Sequence, residues 1–327
     1  MTFVVDEVQV FLGRGILRGV IDRDSIEQAA ARIASHVRVT PCMEMEPRAF
    51  GSAAQLTLKL ELMQHTGSFK PRGAFNRILS AQVPDAGVIA ASGGNHGAAL
   101  AYAARQLGHI AEITVPEPTP DIKVERLRRY GARVMLLGAN YAEAYAASRE
   151  RAQQSGALEV HAYDQVEVLA GQGTLAREFE QQAGTFGTVL VAVGGGGLIG
   201  GVAAWFAGRL KVIGVEPERC PTLYAARKAG EPVDVDVSGV AADSLGARRI
   251  GDLAFAIAQR YVQDVVLITD EEIRQTQRAL WENLRILAEP GGAAALAGLR
   301  SGKYQPVPGE RVGVIVCGGN ADPSRFG

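Results

Sequence analysis

Residues 188–201 read Thr188-Val189-Leu190-Val191-Ala192-Val193-Gly194-Gly195-Gly196-Gly197-Leu198-Ile199-Gly200-Gly201. The first six would put apolar side chains on both faces of a strand, the mark of a strand buried in a parallel sheet. Four consecutive glycines follow, and then a helix. Strand, glycine turn and helix in that order is the repeating unit of a layered α/β fold. Helix N-termini carry unpaired N–H groups and a partial positive charge, and glycine lets the backbone approach an anion closely. The segment therefore predicts an anion site at the carboxyl edge of a sheet. The alternative is a tight turn whose glycines serve packing alone.

The same alternation recurs on both sides of this stretch. Val88–Ala91 is an apolar run leading into Ser92-Gly93-Gly94-Asn95-His96-Gly97, with helical spacing over residues 96–107. Residues 110–115 read as a strand. Thr119-Pro120-Asp121 opens a helix that runs to about Tyr130 and ends at Gly131. A strand over 133–137 and a helix over 141–154 come next. Residues 212–215 and 312–316 are buried parallel strands by the same apolar criterion, and 271–288 is a long amphipathic helix. Ligands in such folds sit beyond the carboxyl ends of strands. Ser92, Gly194 and Cys317 all fall just after predicted strands, so three distant segments converge on one cleft. Gly171-Gln172-Gly173-Thr174 precedes another helix and is expected at the same edge. The fold class is α/β, two-lobed, with parallel-rich sheets flanked by helices. Residues 1–82 and 158–327 make the large domain, and 83–157 a small mobile one.

Bulk properties exclude several classes. A formal net charge of −1, from 34 basic and 35 acidic residues, argues against nucleic acid or an anionic membrane as partner. No run of apolar side chains uninterrupted by glycine reaches the roughly 18 residues of a transmembrane helix. Asp6 and Glu7 interrupt the N-terminal apolar stretch, which does not read as a signal peptide. Cys42, Cys220 and Cys317 have neither metal-ligand nor redox spacing. Reduced thiols in a cytoplasmic protein are the expectation.

The chemistry is suggested by Lys70, within Thr66-Gly67-Ser68-Phe69-Lys70-Pro71-Arg72-Gly73-Ala74. A lysine among small residues can form a Schiff base with an aldehyde, and a glycine turn can hold that aldehyde's phosphate. Together they point to pyridoxal 5'-phosphate acting on an amino acid. One rival stands on local evidence. Gly195, Gly197 and Gly200 satisfy the G-x-G-x-x-G pattern, and Glu216 ends the next strand where a ribose-binding acid is expected. That reading, an NAD-dependent oxidoreductase, gives Lys70 no role.

From about Thr40 to Asn320 the chain resembles the serine/threonine dehydratase (ammonia-lyase) and serine racemase family of fold-type II pyridoxal-phosphate enzymes, whose fold is that of the tryptophan synthase β chain. The resemblance rests on residues 66–74, 92–97, 130–132, 171–174 and 194–198, on Glu289-Pro290 with Ala293-Ala294-Ala295, and on Cys317-Gly318-Gly319-Asn320. It implies that Lys70 carries the cofactor and serves as the catalytic base, and that Phe69 packs on its ring. Asn95 bonds the ring oxygen, the amides of Gly194, Gly195, Gly196, Gly197 and Leu198 hold the phosphate, and Cys317 meets the pyridine nitrogen. Ser92, Gly93, Gly94, Asn95 and His96 receive the substrate carboxylate, with His96 a backbone element rather than an acid–base group. The implied reaction is dehydration and deamination of a β-hydroxy amino acid, such as L-threonine or L-serine, to a 2-oxo acid and ammonia. Racemisation and β-replacement are the alternatives within the fold. A homodimer is the expected assembly.

Three departures narrow the expectation. Racemases of the family place a serine two residues before the loop asparagine, where this chain has Gly93; Ser244 is a possible substitute on the cofactor's far face. Of a divalent-cation site found in some relatives, Glu216 matches one ligand, but the acidic partner six residues on is Thr222, so tight divalent binding is not expected; backbone carbonyls around Cys220 leave a monovalent ion open. Seven residues follow Asn320, leaving no room for a C-terminal regulatory domain, so a catabolic role is expected.

Overall fold

Ten strands, assembled from the apolar runs, form two sheets among the described residues, which in this computed structural model are 21–326. The N-terminal reading built on Asp6 and Glu7, and the first part of the 1–82 segment, lie outside them. The larger sheet has the order β1 (Cys42–Glu44), β2 (Gln55–Lys59), β10 (Arg311–Ile315), β7 (Thr188–Ala192), β8 (Lys211–Pro217) and β9 (Val262–Ile268). Only β1 runs antiparallel. The smaller sheet, β5 (Arg133–Leu136), β4 (Ala111–Val115), β3 (Val88–Ala91) and β6 (Leu158–Glu159), is wholly parallel. Every residue of β3 and β7 is buried, as apolar runs covered by helices on both faces require. No helix among the described residues is long and apolar enough to cross a membrane.

Each sheet has its own core. That of the small sheet takes Ala74, Phe75 and Ile78 from the Lys70–Leu79 helix and Val160 and Val168 from beyond β6, as well as side chains from within 83–157. The Lys70 helix thus serves both bodies of the molecule.

Two sequence expectations change. Residues 171–174 do not lie at a strand edge; they sit inside the Val166–Ala183 helix. A Cβ on Gly171 would come within 2.6 Å of the Arg72 carbonyl, and one on Gly201 within 2.4 Å of the Leu169 carbonyl. The glycines are there so that the Lys70–Leu79, Val166–Ala183 and Gly197–Phe206 helices pack backbone to backbone. The helix expected over 271–288 ends at Leu284, where Arg285 turns left-handed at φ 55°. The reversal frees Glu289 and Pro290 to start the next helix, Pro290–Arg300, with proline in its first turn.

An ion network buried behind the Lys70 helix holds it in place. Arg72, 1% exposed, meets Glu61 at 2.7 Å and Glu178 at 3.0 Å, and Lys59 meets Glu178 at 2.6 Å. Removing one partner of such a pair leaves an uncompensated buried charge.

Gly201→Ala must force two helices apart and should cost about 1–3 kcal/mol. Urea unfolding of the variant checks this against the parent; an unchanged midpoint would mean that the helices do not approach as described.

Candidate active site around Lys70

Lys70 is the first residue of its helix, where the preceding chain is held against the end of β10. Phe69 N–H donates to the Cys317 carbonyl at 3.1 Å, and Ser68 forms a bridge with Gly318. Thr66 adopts a left-handed φ of 60°, and its carbonyl accepts from Arg126 at 3.2 Å and Asn320 at 2.9 Å. The turn aims the Lys70 side chain into the space between the sheets, where Nζ donates to the Ala162 carbonyl at 2.7 Å. Burial lowers the amine to about 8, against a smaller opposing pull from Cys317 and Glu289. The Phe69 ring lies 5.1 Å from Nζ.

Four segments meet there. Asn95 begins the helix after β3; its Nδ2 donates to Glu289 at 2.6 Å and its Oδ1 accepts from Asn320 at 2.7 Å. Glu289, buried, is raised to about 7 by desolvation, with the Asn95 bond and Arg126 opposing. Cys317, past β10, is buried and places Sγ 3.3 Å from the Gly291 carbonyl. Burial raises its thiol far above the ordinary range, so it is neutral. His96 Nε2 lies 2.8 Å from the Val160 carbonyl, and burial, with help from Lys70, lowers the ring to about 3. A neutral imidazole donating to a carbonyl is a fixed structural bond.

The glycine turn follows β7. The first intrahelical bond runs from Gly200 N–H to the Gly196 carbonyl, so the amides before it have no partner within the helix. Gly196 has φ 93°. A Cβ on Gly195 would fall 2.3 Å from the Tyr163 ring, and one on Gly197 3.0 Å from Tyr163 Cα. Only bare backbone fits, which is the cradle a phosphate needs. Leu198 turns away into the core at 5% exposure. Ser92 N–H completes the sheet edge on Thr114, and its hydroxyl accepts from Gly94 N–H at 3.3 Å. A Cβ on Gly93 would find only Val115 and Thr119 side chains, no closer than 3.6 Å. With a buried low-pKa amine, a phosphate-sized glycine cradle and a neutral thiol around one space, the residues present fit pyridoxal phosphate.

Of the remaining candidates, Glu216 lies apart from this cluster and Ser244 lies at its edge, on Gly291. Glu216 is fully buried, and its oxygens accept from Thr222 at 2.9 Å and from the Leu223 and Tyr224 amides at 2.8 Å. It caps the Thr222–Ala229 helix and cannot reach a ribose, which removes the support for the dinucleotide reading. Among the described residues no group of three or more His, Cys, Asp or Glu side chains could hold a metal. Ser244 Oγ accepts from Gly291 N–H at 2.9 Å, a bond at the start of the Pro290 helix. Its neighbour Asp243 pairs with Lys123 at 3.0 Å, joining the large-sheet side to the Asp121–Arg129 helix.

Sequence reasoning passed over Glu289 as a site group, quoting it only within a motif, and missed His161, Ala162 and Tyr163. Their signal was weak: a short aromatic stretch after a two-residue strand.

Comparison with known proteins identifies the family. The chain is 40% identical to the biosynthetic L-threonine dehydratase of Haemophilus influenzae over 91% of its own length, but spans only 59% of that relative. It is 34% identical to the phenylserine dehydratase of Ralstonia pickettii, covering 93% of this chain and 95% of that one. The structure of maize serine racemase superposes with a TM-score of 0.89 at 32% identity, covering 94% of this chain and 96% of that one. Residues 33–318 match the family described as pyridoxal-phosphate dependent enzyme, and the chain belongs to that family.

Proposed function

We propose that the protein is an ammonia-lyase that removes water and then ammonia from a β-hydroxy amino acid, leaving a 2-oxo acid. The observation that carries this reading is Lys70: a half-buried lysine whose amine is lowered to about 8, beside a glycine cradle and a neutral thiol. Relatives are named for threonine, serine and phenylserine, and all of these carry a hydroxyl on Cβ.

Bound pyridoxal phosphate supplies an electron sink for the pair left on Cα when its proton departs. The chain's residues do the rest. The amides of Gly194 to Leu198 hold the phosphate. Ser92 to His96, at a helix N-terminus, receive the substrate carboxylate by charge–dipole attraction. Lys70, lowered by burial to about 8 so that a fraction of it is unprotonated near neutral pH, takes the Cα proton. Asn95, fixed between Glu289 and Asn320, keeps one Nδ2 hydrogen for the cofactor's ring oxygen. The Cβ–O bond then breaks, the oxygen taking up a proton to leave as water and balancing the one Lys70 removed from Cα; the freed enamine tautomerises to an imine, which adds water and expels ammonia to give the 2-oxo acid. Cys317 bears on which reaction wins. A neutral thiol cannot hold a proton on the ring nitrogen as a carboxylate would, so the sink is weak. A weak sink favours prompt loss of a β leaving group over transamination. The smaller sheet and its helices act as a lobe that closes over the cleft, and the protein works as a homodimer.

Three outcomes follow. Lys70→Ala should lower 2-oxo acid release from L-serine and L-threonine by at least about 10³-fold; retention of more than a few per cent of the rate would contradict the role. The apoprotein's reaction with added pyridoxal phosphate, followed by near-visible absorption, should speed up as pH rises through about 8, where the amine becomes neutral, and level off above it. A midpoint near about 10.4, that of a solvated lysine, would show the amine is not buried. Gly93→Ser adds a hydroxyl without a clash and should raise racemisation of serine above that of the parent, measured by chiral chromatography; no rise would show that this position does not face Cα.

A further inference from the structure

Ala162 accepts the Lys70 bond, so the side chains on either side of it stand beside the amine. These are His161 and Tyr163, whose rings meet edge to face at 4.6 Å. Tyr163 lies over the glycine turn, and its hydroxyl donates to the Arg249 carbonyl at 3.3 Å. Two more rings arrive from the Tyr141–Ser155 helix. Tyr145 meets His161 edge-on at 6.1 Å, and Tyr141, one turn earlier, stacks on Tyr145 at 6.2 Å with planes 10° apart. Four rings from two segments therefore form an unbroken row leading outward from Lys70. Tyr141, at the outer end, is 53% exposed, so the row is the wall of an open cleft and not a sealed core.

The wall is uncharged. Burial lowers His161 to about 4, with Lys70 and Arg149 adding to the shift, and burial raises the Tyr163 phenol. The nearby cations are engaged elsewhere. Arg149 faces Glu159 at 4.0 Å, Arg249 faces Asp252 at 3.9 Å, and Arg72 is enclosed by Glu61 and Glu178. Arg248 is exposed. A substrate carrying a second carboxylate on this side would lose hydration and be met by the neutral phenols and the His161 ring N–H, with no buried cation in the wall to offset the loss. A flat apolar substituent would meet ring faces and edges, a gain of about tenfold in affinity beyond its burial.

We propose that Tyr145 and His161, flanked by Tyr141 and Tyr163, are the specificity-determining wall for the Cβ substituent, and that they select amino acids bearing an aromatic group there over small or acidic ones. This rests on the ammonia-lyase reading for the reaction, but the preference can be read without turnover.

The test titrates the holoenzyme with L-phenylalanine, L-alanine and L-aspartate, which have no β-hydroxyl to lose, and follows the cofactor's absorption to obtain each Kd. L-phenylalanine should bind at least about 10-fold more tightly than either of the others. Tyr145→Ala should bring the phenylalanine-to-alanine ratio down about 10-fold, and Tyr145→Phe should preserve it. Equal or weaker binding of L-phenylalanine, which needs no variant to observe, overturns the proposal, as does an unchanged ratio in Tyr145→Ala. Turnover is measured separately with L-serine, L-threonine and 3-phenylserine. Absence of 2-oxo acid from all three overturns the ammonia-lyase reading while the binding ratio still decides the wall. Turnover of the small substrates without tighter L-phenylalanine binding overturns the wall and leaves the reaction standing.

Discussion

A primary amine drawn largely out of water is costly unless it gives up its proton or finds an acceptor, and the architecture around Lys70 answers that constraint. The Ala162 carbonyl takes one hydrogen bond from Nζ, and burial lowers the amine to about 8, so that far more of it is neutral near physiological pH than of a solvated lysine. Everything that fixes this geometry lies on one short helix. Its first residue is Lys70, its third is the buried Arg72, and its apolar face enters the core of the smaller sheet. The reactive group, the ion network and the second core are coupled through ten residues.

Close packing of backbones makes this possible. Gly171, Gly173 and Gly201 remove the Cβ atoms that would separate the Lys70, Val166 and Gly197 helices. The same device, used at Gly195 and Gly197, brings bare amides to the place where a phosphate can reach them. Glycines that look alike in the sequence thus do two jobs, one of packing and one of anion binding, and only the contacts tell them apart.

Much of this was legible in the sequence because it depends on short-range patterns. Apolar runs without alternation specified the parallel strands β3, β7 and β10, and the turns after them located Ser92, Gly194 and Cys317 correctly as neighbours of strand ends. What escaped depends on tertiary packing. Residues 171–174 look like a loop because glycines weaken helix propensity, but the neighbouring helices stabilise the helix through them. Glu216 sits where a ribose-binding acid would, and only the three donors around it reveal a helix cap. Glu289 carries no signal of burial in its sequence context, and the row from Tyr141 to Tyr163 is assembled from segments that spacing alone cannot bring together.

The central claim is that Lys70 is the lysine to which pyridoxal phosphate is joined, in preference to the buried Lys59 or any surface lysine. Borohydride reduction of the holoenzyme followed by peptide mass mapping tests it most directly. The account predicts one phosphopyridoxyl group per chain, on the peptide containing Lys70. Label on a different lysine, or none after saturation with the cofactor, would contradict it.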